Sequence, residues 1–179
     1  MSATLVLGPL PEPRSGPLSA IELDVVPIDL VTEWRRCGMV ADFMADYMVH
    51  AFERRDVARS ILSTVANELV ENAAKFSSSK QIPAHVSLRH HGEVVYAEVR
   101  NRAAEKHVRG LREVLAELAG DDATAVFRRR VEGRLGLGLA MLARDYHAKV
   151  GATIVPMATG GESAVCLGVA LGVAEVEQT

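Results

Sequence analysis

The chain has 179 residues, of which 49% are hydrophobic, and this predicts one domain with a sizeable core. Its formal net charge of −3 provides no basic footprint for nucleic acid, so we expect no direct nucleic-acid partner. No apolar run reaches the ~18 residues that a membrane helix needs, and the N-terminus lacks a signal-peptide pattern. These features predict a cytoplasmic protein that does not bind membranes.

The first 53 residues are predicted to form a tail, a strand and a helix. Residues 1–18 contain four prolines without periodicity and are expected to form a flexible tail, leaving residues 19–175 as a single domain. The sequence "IELDVVPID" (21–29) predicts a strand, and its proline favours an edge position. Apolar residues at helical spacing then predict a long amphipathic helix over roughly 31–53.

That first helix is rich in methionine, at positions 39, 44 and 48. A flexible apolar surface of this kind makes the helix a candidate homodimer interface. Core packing is the simpler explanation of the same residues. The oligomeric state therefore stays open at this point.

The remaining pattern alternates helices with paired strands. In chain order it predicts a helix over 56–77, strands over 84–90 and 93–101, a helix ending at Gly120, a helix from the glycine cluster at 133–138 to Gly151, and two last strands about a Gly160-Gly161 turn. Strands grouped in hairpins indicate an α+β fold. We expect a two-layer sandwich in which a mixed or antiparallel sheet carries helices on one face.

The helix predicted over 56–77 places polar residues on its apolar side. Glu68, Asn72 and Lys75 are spaced i, i+4 and i+7, so they share one narrow arc. An amide oxygen can ligate Mg²⁺, an ammonium can contact phosphate, and a carboxylate can accept a proton from a hydroxyl. The set therefore suits a magnesium phosphate, although Glu68 and Lys75 could also simply frame a solvated edge.

A glycine cluster, "GRLGLGLAML" (133–142), leads into the next apolar helix. Its glycines, Gly133, Gly136 and Gly138, permit tight turns and close backbone approach, and the first N–H groups of the helix form an anion site. The alternative is a turn used only for packing. The preceding "FRRRVEGR" (127–134) could bring arginines to a phosphate, but a solvated helix face is the more ordinary interpretation.

Together these motifs resemble a known family. "NELVENAAKFS" (67–77) is similar to the N-box of the GHKL ATP-binding superfamily, and "LGLGLAML" (135–142) is similar to its second glycine box. The element order from about 20 to 173 also resembles the Bergerat fold of that superfamily. The resemblance implies ATP and Mg²⁺ as cofactors.

The resemblance also implies a role for each matching residue. Glu68 would be the general base or hydroxyl-orienting acid, Asn72 would ligate magnesium, Lys75 would contact phosphate, Phe76 would pack near the adenine, and Gly136 and Gly138 would lie against the triphosphate. A shifted helix register would make Glu71 the acid. We disfavour that register because Glu71 points away from Asn72 on a helix.

The chain departs from the family in two places. The family has D-x-G-x-G after the hairpin, with an Asp that accepts a hydrogen bond from adenine, whereas this chain has "NRAAE" (101–105). Asn101 replaces the acid, and Ala103 and Glu105 replace the glycines. A neutral acceptor is weaker than a charged one, which predicts weak nucleotide binding. Arg134 stands where the glycine box usually begins.

Among GHKL proteins, the chain most resembles the anti-sigma-factor serine kinases of bacterial partner switching. His50 lacks the sequence context of a phosphoacceptor histidine, and the length leaves no room for the further domains of gyrase, Hsp90 or MutL. The resemblance implies a regulator that binds, and as a kinase phosphorylates, a small antagonist protein, with a sigma-factor-like regulator as the other partner. Two alternatives remain: a degenerate GHKL module that sequesters a partner without catalysis, and an α+β domain without a ligand.

Overall fold

The structure is a computed structural model that describes residues 3–13, 15–133, 136–158 and 161–177. The strands within these ranges are β1 (Leu5–Leu7), β2 (Ser19–Val25), β3 (Ala84–His90), β4 (Val94–Ala104), β5 (Lys149–Pro156) and β6 (Glu162–Gly172). The helices are α1 (Pro27–Thr32), α2 (Arg35–Met48), α3 (Arg55–Phe76), α4 (Glu105–Gly120), α5 (Ala123–Gly133), α6 (Leu137–Asp145) and α7 (Val173–Glu177). Across these described helices, none is both long and apolar enough to cross a membrane.

The strands form one sheet in the order β1-β5-β6-β4-β3-β2, and every neighbouring pair is antiparallel. The expected α+β two-layer sandwich is therefore confirmed, with an antiparallel sheet. Side chains alternate between the two faces of each strand, and this explains the two layers. The face that the helices cover buries Val86 and Leu88 of β3 and Val95 and Ala97 of β4.

The core between the layers is formed mainly by α3 and α2. Leu62, Val65 and Leu69 of α3 are completely buried, as are Met44 and Met48 of α2. Small residues between them let the helices approach the sheet closely. Core packing thus accounts for two of the three methionines, and Met39 is the one that is exposed.

Several predicted boundaries were wrong near the N-terminus. The strand predicted over 21–29 ends at Val25, and Pro27 instead begins α1, where a missing N–H has no cost. The single helix predicted over 31–53 is two helices, interrupted at Glu33, whose backbone leaves the helical region with φ −131° and ψ 88°. The edge position of β2 was predicted correctly.

The flexible tail expected over 1–18 needs a correction. Leu5–Leu7 forms β1, which pairs with the outer side of β5. The following residues cross the sheet face opposite the helices, where the Tyr96 hydroxyl donates a hydrogen bond to the Pro11 carbonyl oxygen at 2.7 Å. A strand of three residues is too short to give a periodic signal, so the sequence could not indicate it.

The C-terminal half follows the prediction with different limits. The helix predicted to end at Gly151 ends at Asp145, and Gly151 lies inside β5. His147 has a positive φ of 50°, which turns the chain from α6 into that strand. The last two strands form the predicted hairpin, but Gly160 of its turn lies outside the described residues.

Candidate functional site

A cleft of about 620 Å³ opens between the end of α3, the start of α4 and the start of α6, with β4 and β6 as its floor. All seven residues that the sequence singled out line it. They are Glu68, Asn72, Lys75, Phe76, Asn101, Gly136 and Gly138. Helical spacing explains the first four, and antiparallel pairing brings Asn101 beside Val165 on the floor.

Glu68 projects from α3 toward the first turn of α6. Burial raises the pKa of its carboxyl group, the nearby Glu71 carboxylate raises that pKa further, and the Lys75 ammonium opposes both effects. A Cβ atom placed on Gly138 would overlap the Glu68 carboxylate. A side chain at position 138 would therefore displace the carboxylate, and the two predicted motifs meet at this contact.

Asn72 lies one turn after Glu68 on the same wall of the cleft. Its Nδ2 atom is buried, and among the described residues it has no hydrogen-bond partner. A buried amide without a partner is costly in a core, because the group loses its water without compensation. Asn72 also lines the cleft, so this unpartnered Nδ2 atom lies beside a space that a ligand can enter.

Lys75 reaches the cleft rim but is engaged with protein groups. Its ammonium donates to the Glu71 carboxylate at 2.6 Å and stands 5.3 Å from the ring centroid of Trp34. Glu71 also accepts a hydrogen bond from the Asn67 amide at 3.0 Å. Glu71 thus belongs to a polar group beside the cleft, consistent with its predicted direction away from Asn72.

Phe76 ends α3 and packs against the first turn of α4. Its ring lies edge-on to His107, with 5.3 Å between the ring centroids. Burial lowers the pKa of His107, although the nearby Phe76 backbone opposes this. His107 is therefore an uncharged cleft residue at neutral pH.

Asn101 stands on the β4 floor near the end of α3. Its Nδ2 atom donates a hydrogen bond to Oγ of Ser77 at 3.0 Å. Ser77 is 5% exposed, and it forms an isolated antiparallel bridge with Ala103. This bridge fixes the chain directly after α3 against the sheet and holds Asn101 at the cleft.

The glycine cluster supplies the start of α6. Gly136 is the N-cap of α6, with a left-handed backbone (φ 71°), and a Cβ atom there would clash with Val114. No side chain caps α6 within the described residues. The expected tight turn is present at Gly136, whereas Gly133 is the last residue of α5. Arg134 lies outside the described residues.

The arginine run forms one face of α5. Arg129 pairs with Asp121 at 2.5 Å, and Arg130 pairs with Glu117 at 2.6 Å. Both acids belong to α4 or to the turn that follows it. This arrangement favours the helix-face interpretation of the run.

The donor set at the cleft fits a metal only as part of a metal–phosphate ligand. The described residues contain no group of three or more His, Cys, Asp or Glu side chains that could hold a metal ion. Mg²⁺ is commonly held by one or two protein oxygens together with substrate phosphates. Asn72 is the fitting ligand, because it lines the cleft and an amide oxygen can ligate Mg²⁺.

Sequence reasoning missed Ser77, Lys106 and His107. Lys106 and His107 line the cleft from the first turn of α4, directly after the altered "NRAAE" segment. Their place in the sequence, directly after residues 101–105, could have indicated this. A helix that begins beside a ligand-binding loop brings its first turn close to the ligand. Ser77 entered the prediction only as the last residue of the helix over 56–77.

Comparison with known proteins gives one structural likeness. No family model matches the chain, and no curated protein matches it. A chain in the crystal structure of the SiaB-SiaC complex from Pseudomonas aeruginosa is similar, with a TM-score of 0.66 and 16% sequence identity. The match covers 88% of this chain and 92% of that chain. At this identity, the likeness shows that the two chains share a fold.

Proposed function

We propose that this protein is a cytoplasmic ATP-binding regulator of the GHKL anti-sigma-factor serine kinase type. The observation that carries the proposal is the meeting of Glu68, Asn72 and the Gly138 backbone in one cleft with an apolar floor. A nucleotide has a polar end and an apolar end, and this cleft has both.

The polar end of the cleft suits the phosphates. The Asn72 amide oxygen would ligate Mg²⁺, and the N–H groups at the start of α6 would face phosphate oxygens. Bound Mg²⁺ would supply charge neutralisation at the phosphates. Lys75 reaches the same end, where it would exchange its bond to Glu71 for a phosphate contact.

Glu68 suits the role of proton acceptor in phosphorylation of a Ser or Thr side chain. Its raised pKa makes the carboxylate a better base than an exposed glutamate. The carboxylate would accept the hydroxyl proton as the hydroxyl oxygen forms its bond to phosphorus. Contact with Gly138 fixes the carboxylate at the start of α6, where phosphate would also lie.

A protein partner is part of the proposal. The similar chain comes from a structure of a SiaB-SiaC complex, which supports a role in binding another protein. We propose a small antagonist protein as the partner, in partner-switching signalling. The second candidate function is sequestration of that partner without catalysis, and the observation that favours it is the neutral Asn101 in place of an acid.

Calorimetric titration with Mg-ATP and Mg-ADP tests the proposal directly. We expect binding at micromolar concentration or weaker, because the adenine acceptor is neutral. Loss of binding when EDTA is added would support the metal–phosphate assignment. If neither nucleotide binds at millimolar concentration, the ATP-binding proposal is wrong.

A further inference from the structure

The apolar end of the cleft has one hydrogen-bonding side chain on its floor. The described floor residues are Val99, Asn101 and Ala103 of β4 and Val165 and Leu167 of β6, and only Asn101 among them is polar. An aromatic base lying on this floor would bury its faces against apolar atoms. Its edge would meet the Asn101 amide.

The hydrogen-bond partner of Asn101 is the Ser77 hydroxyl, and this determines which atoms of the amide remain for a ligand. In the structure the Asn101 Nδ2 atom donates to Ser77 Oγ, and among the described residues the amide oxygen is the end without a hydrogen-bond partner. A hydroxyl can donate as well as accept. If the Asn101 amide rotates by about half a turn, Ser77 can donate to the amide oxygen, and the NH₂ group becomes the free end.

The Asn101–Ser77 pair can therefore present either an acceptor or a donor to the base without losing its own hydrogen bond. A carboxylate at this position would only accept, and it would repel a carbonyl oxygen on the base. His107 adds no charge here, because burial lowers its pKa and keeps it neutral at pH 7.

We propose that the cleft binds both 6-amino and 6-oxo purine nucleotides with similar affinity. The amide oxygen of Asn101 would accept from the amino group of adenine, and its NH₂ group would donate to the carbonyl oxygen of a 6-oxo purine. This inference rests on the proposed nucleotide site and specifies which bases that site takes.

Titration with Mg-ATP and with Mg-ITP, the inosine analogue, tests the inference. Inosine differs from adenosine in the 6-position and the neighbouring ring nitrogen, so the comparison isolates the edge that Asn101 reads. We expect dissociation constants within about threefold of each other, since each base makes one neutral hydrogen bond of similar strength. A preference for ATP above about tenfold in the wild type would overturn the inference and leave the ATP-binding proposal intact.

Two variants distinguish recognition of the 6-position of the base from overall nucleotide affinity. Asn101→Asp should favour ATP over ITP by about tenfold or more, because its carboxylate accepts from the amino group and repels the carbonyl oxygen. Asn101→Leu should weaken both nucleotides by a similar factor. If Asn101→Leu changes neither affinity, the amide does not contact the base and the inference is wrong.

Inorganic tripolyphosphate is the control for binding through phosphates alone. It should bind at least tenfold more weakly than either nucleotide, since it places no base on the floor. Equal binding of tripolyphosphate, ATP and ITP would overturn the inference, because the base would then contribute nothing. If none of the three binds, the nucleotide-site proposal fails as well.

Discussion

The Glu68 carboxylate lies directly against Gly138, at the first turn of α6. This contact joins the two sequence motifs into one structural unit, since any side chain at position 138 would occupy the place of the carboxylate. Glycine at position 138 thus leaves the place that the Glu68 carboxylate occupies, whereas the turn that begins α6 depends on Gly136.

Gly138→Ala is expected to displace the Glu68 carboxylate with less than about 1 kcal/mol of change in the free energy of unfolding, because the displaced atoms end a flexible side chain beside an open cleft and alanine favours the helix. Urea denaturation measures this change. The control is Gly38→Ala in α2, where a Cβ atom would meet no other atom within 4 Å. That variant should gain about 0.5–1 kcal/mol from the helix preference of alanine. A loss of more than about 2 kcal/mol in Gly138→Ala would mean that the carboxylate cannot move away from position 138.

The residues of the cleft were predicted more accurately than the first and last residues of the helices and strands around it. The helix predicted over 56–77 is α3 (Arg55–Phe76), because its apolar spacing is long and regular. The spacing of residues along a helix determines the side on which their side chains lie. Glu68, Asn72 and Lys75 could therefore be predicted to share one wall of the cleft. The tight turn at Gly136 was also predictable, because glycine readily adopts the positive φ that such a turn requires.

The contacts that complete the cleft could not be predicted from local pattern. Ser77 and Asn101 belong to different elements, and only the bridge between Ser77 and Ala103 brings them together. His107 enters the cleft through packing on Phe76, which depends on the angle between α3 and α4. The break at Glu33 was also missed, because apolar spacing continues on both sides of it.

Asn72→Ala is expected to weaken Mg-ATP binding by about tenfold or more, because it removes the proposed metal ligand. Calorimetry with and without EDTA should show that the remaining affinity no longer depends on magnesium. Asn67→Ala is the matched control, since Asn67 lies on the same helix but bonds to Glu71 beside the cleft. If neither Asn72→Ala nor EDTA changes ATP affinity, the magnesium assignment is wrong.

Glu68→Gln is expected to raise the free energy of unfolding at neutral pH. The folded-state pKa of Glu68 lies above the ordinary value of 4.5, so the folded protein binds this proton more tightly than the unfolded chain. The wild type therefore loses stability as pH rises from about 4.5 through the raised pKa, and the variant does not. Chemical denaturation between pH 4 and 8 should show an advantage for Glu68→Gln that grows with pH.

The control for this pH effect is Glu113→Gln, because Glu113 is exposed on α4. Its stability should follow that of the wild type at every pH. A constant difference between Glu68→Gln and the wild type across the range would show that burial does not raise the Glu68 pKa. In that case Glu68 would have no special strength as a base.

Phosphorylation of a partner should depend on Glu68 if the protein is a kinase. A positioned acid–base group typically contributes ~10²–10⁴-fold to rate, so Glu68→Gln should abolish measurable transfer while leaving nucleotide affinity nearly unchanged. The assay requires the partner, so a pull-down with the wild-type protein comes first, followed by transfer of labelled phosphate from ATP. Glu113→Gln is the control, because Glu113 is exposed on α4 and should retain activity. Tight partner binding without phosphate transfer by the wild type would refute the kinase function and leave sequestration, whereas transfer by Glu68→Gln at the wild-type rate would remove Glu68 from the mechanism.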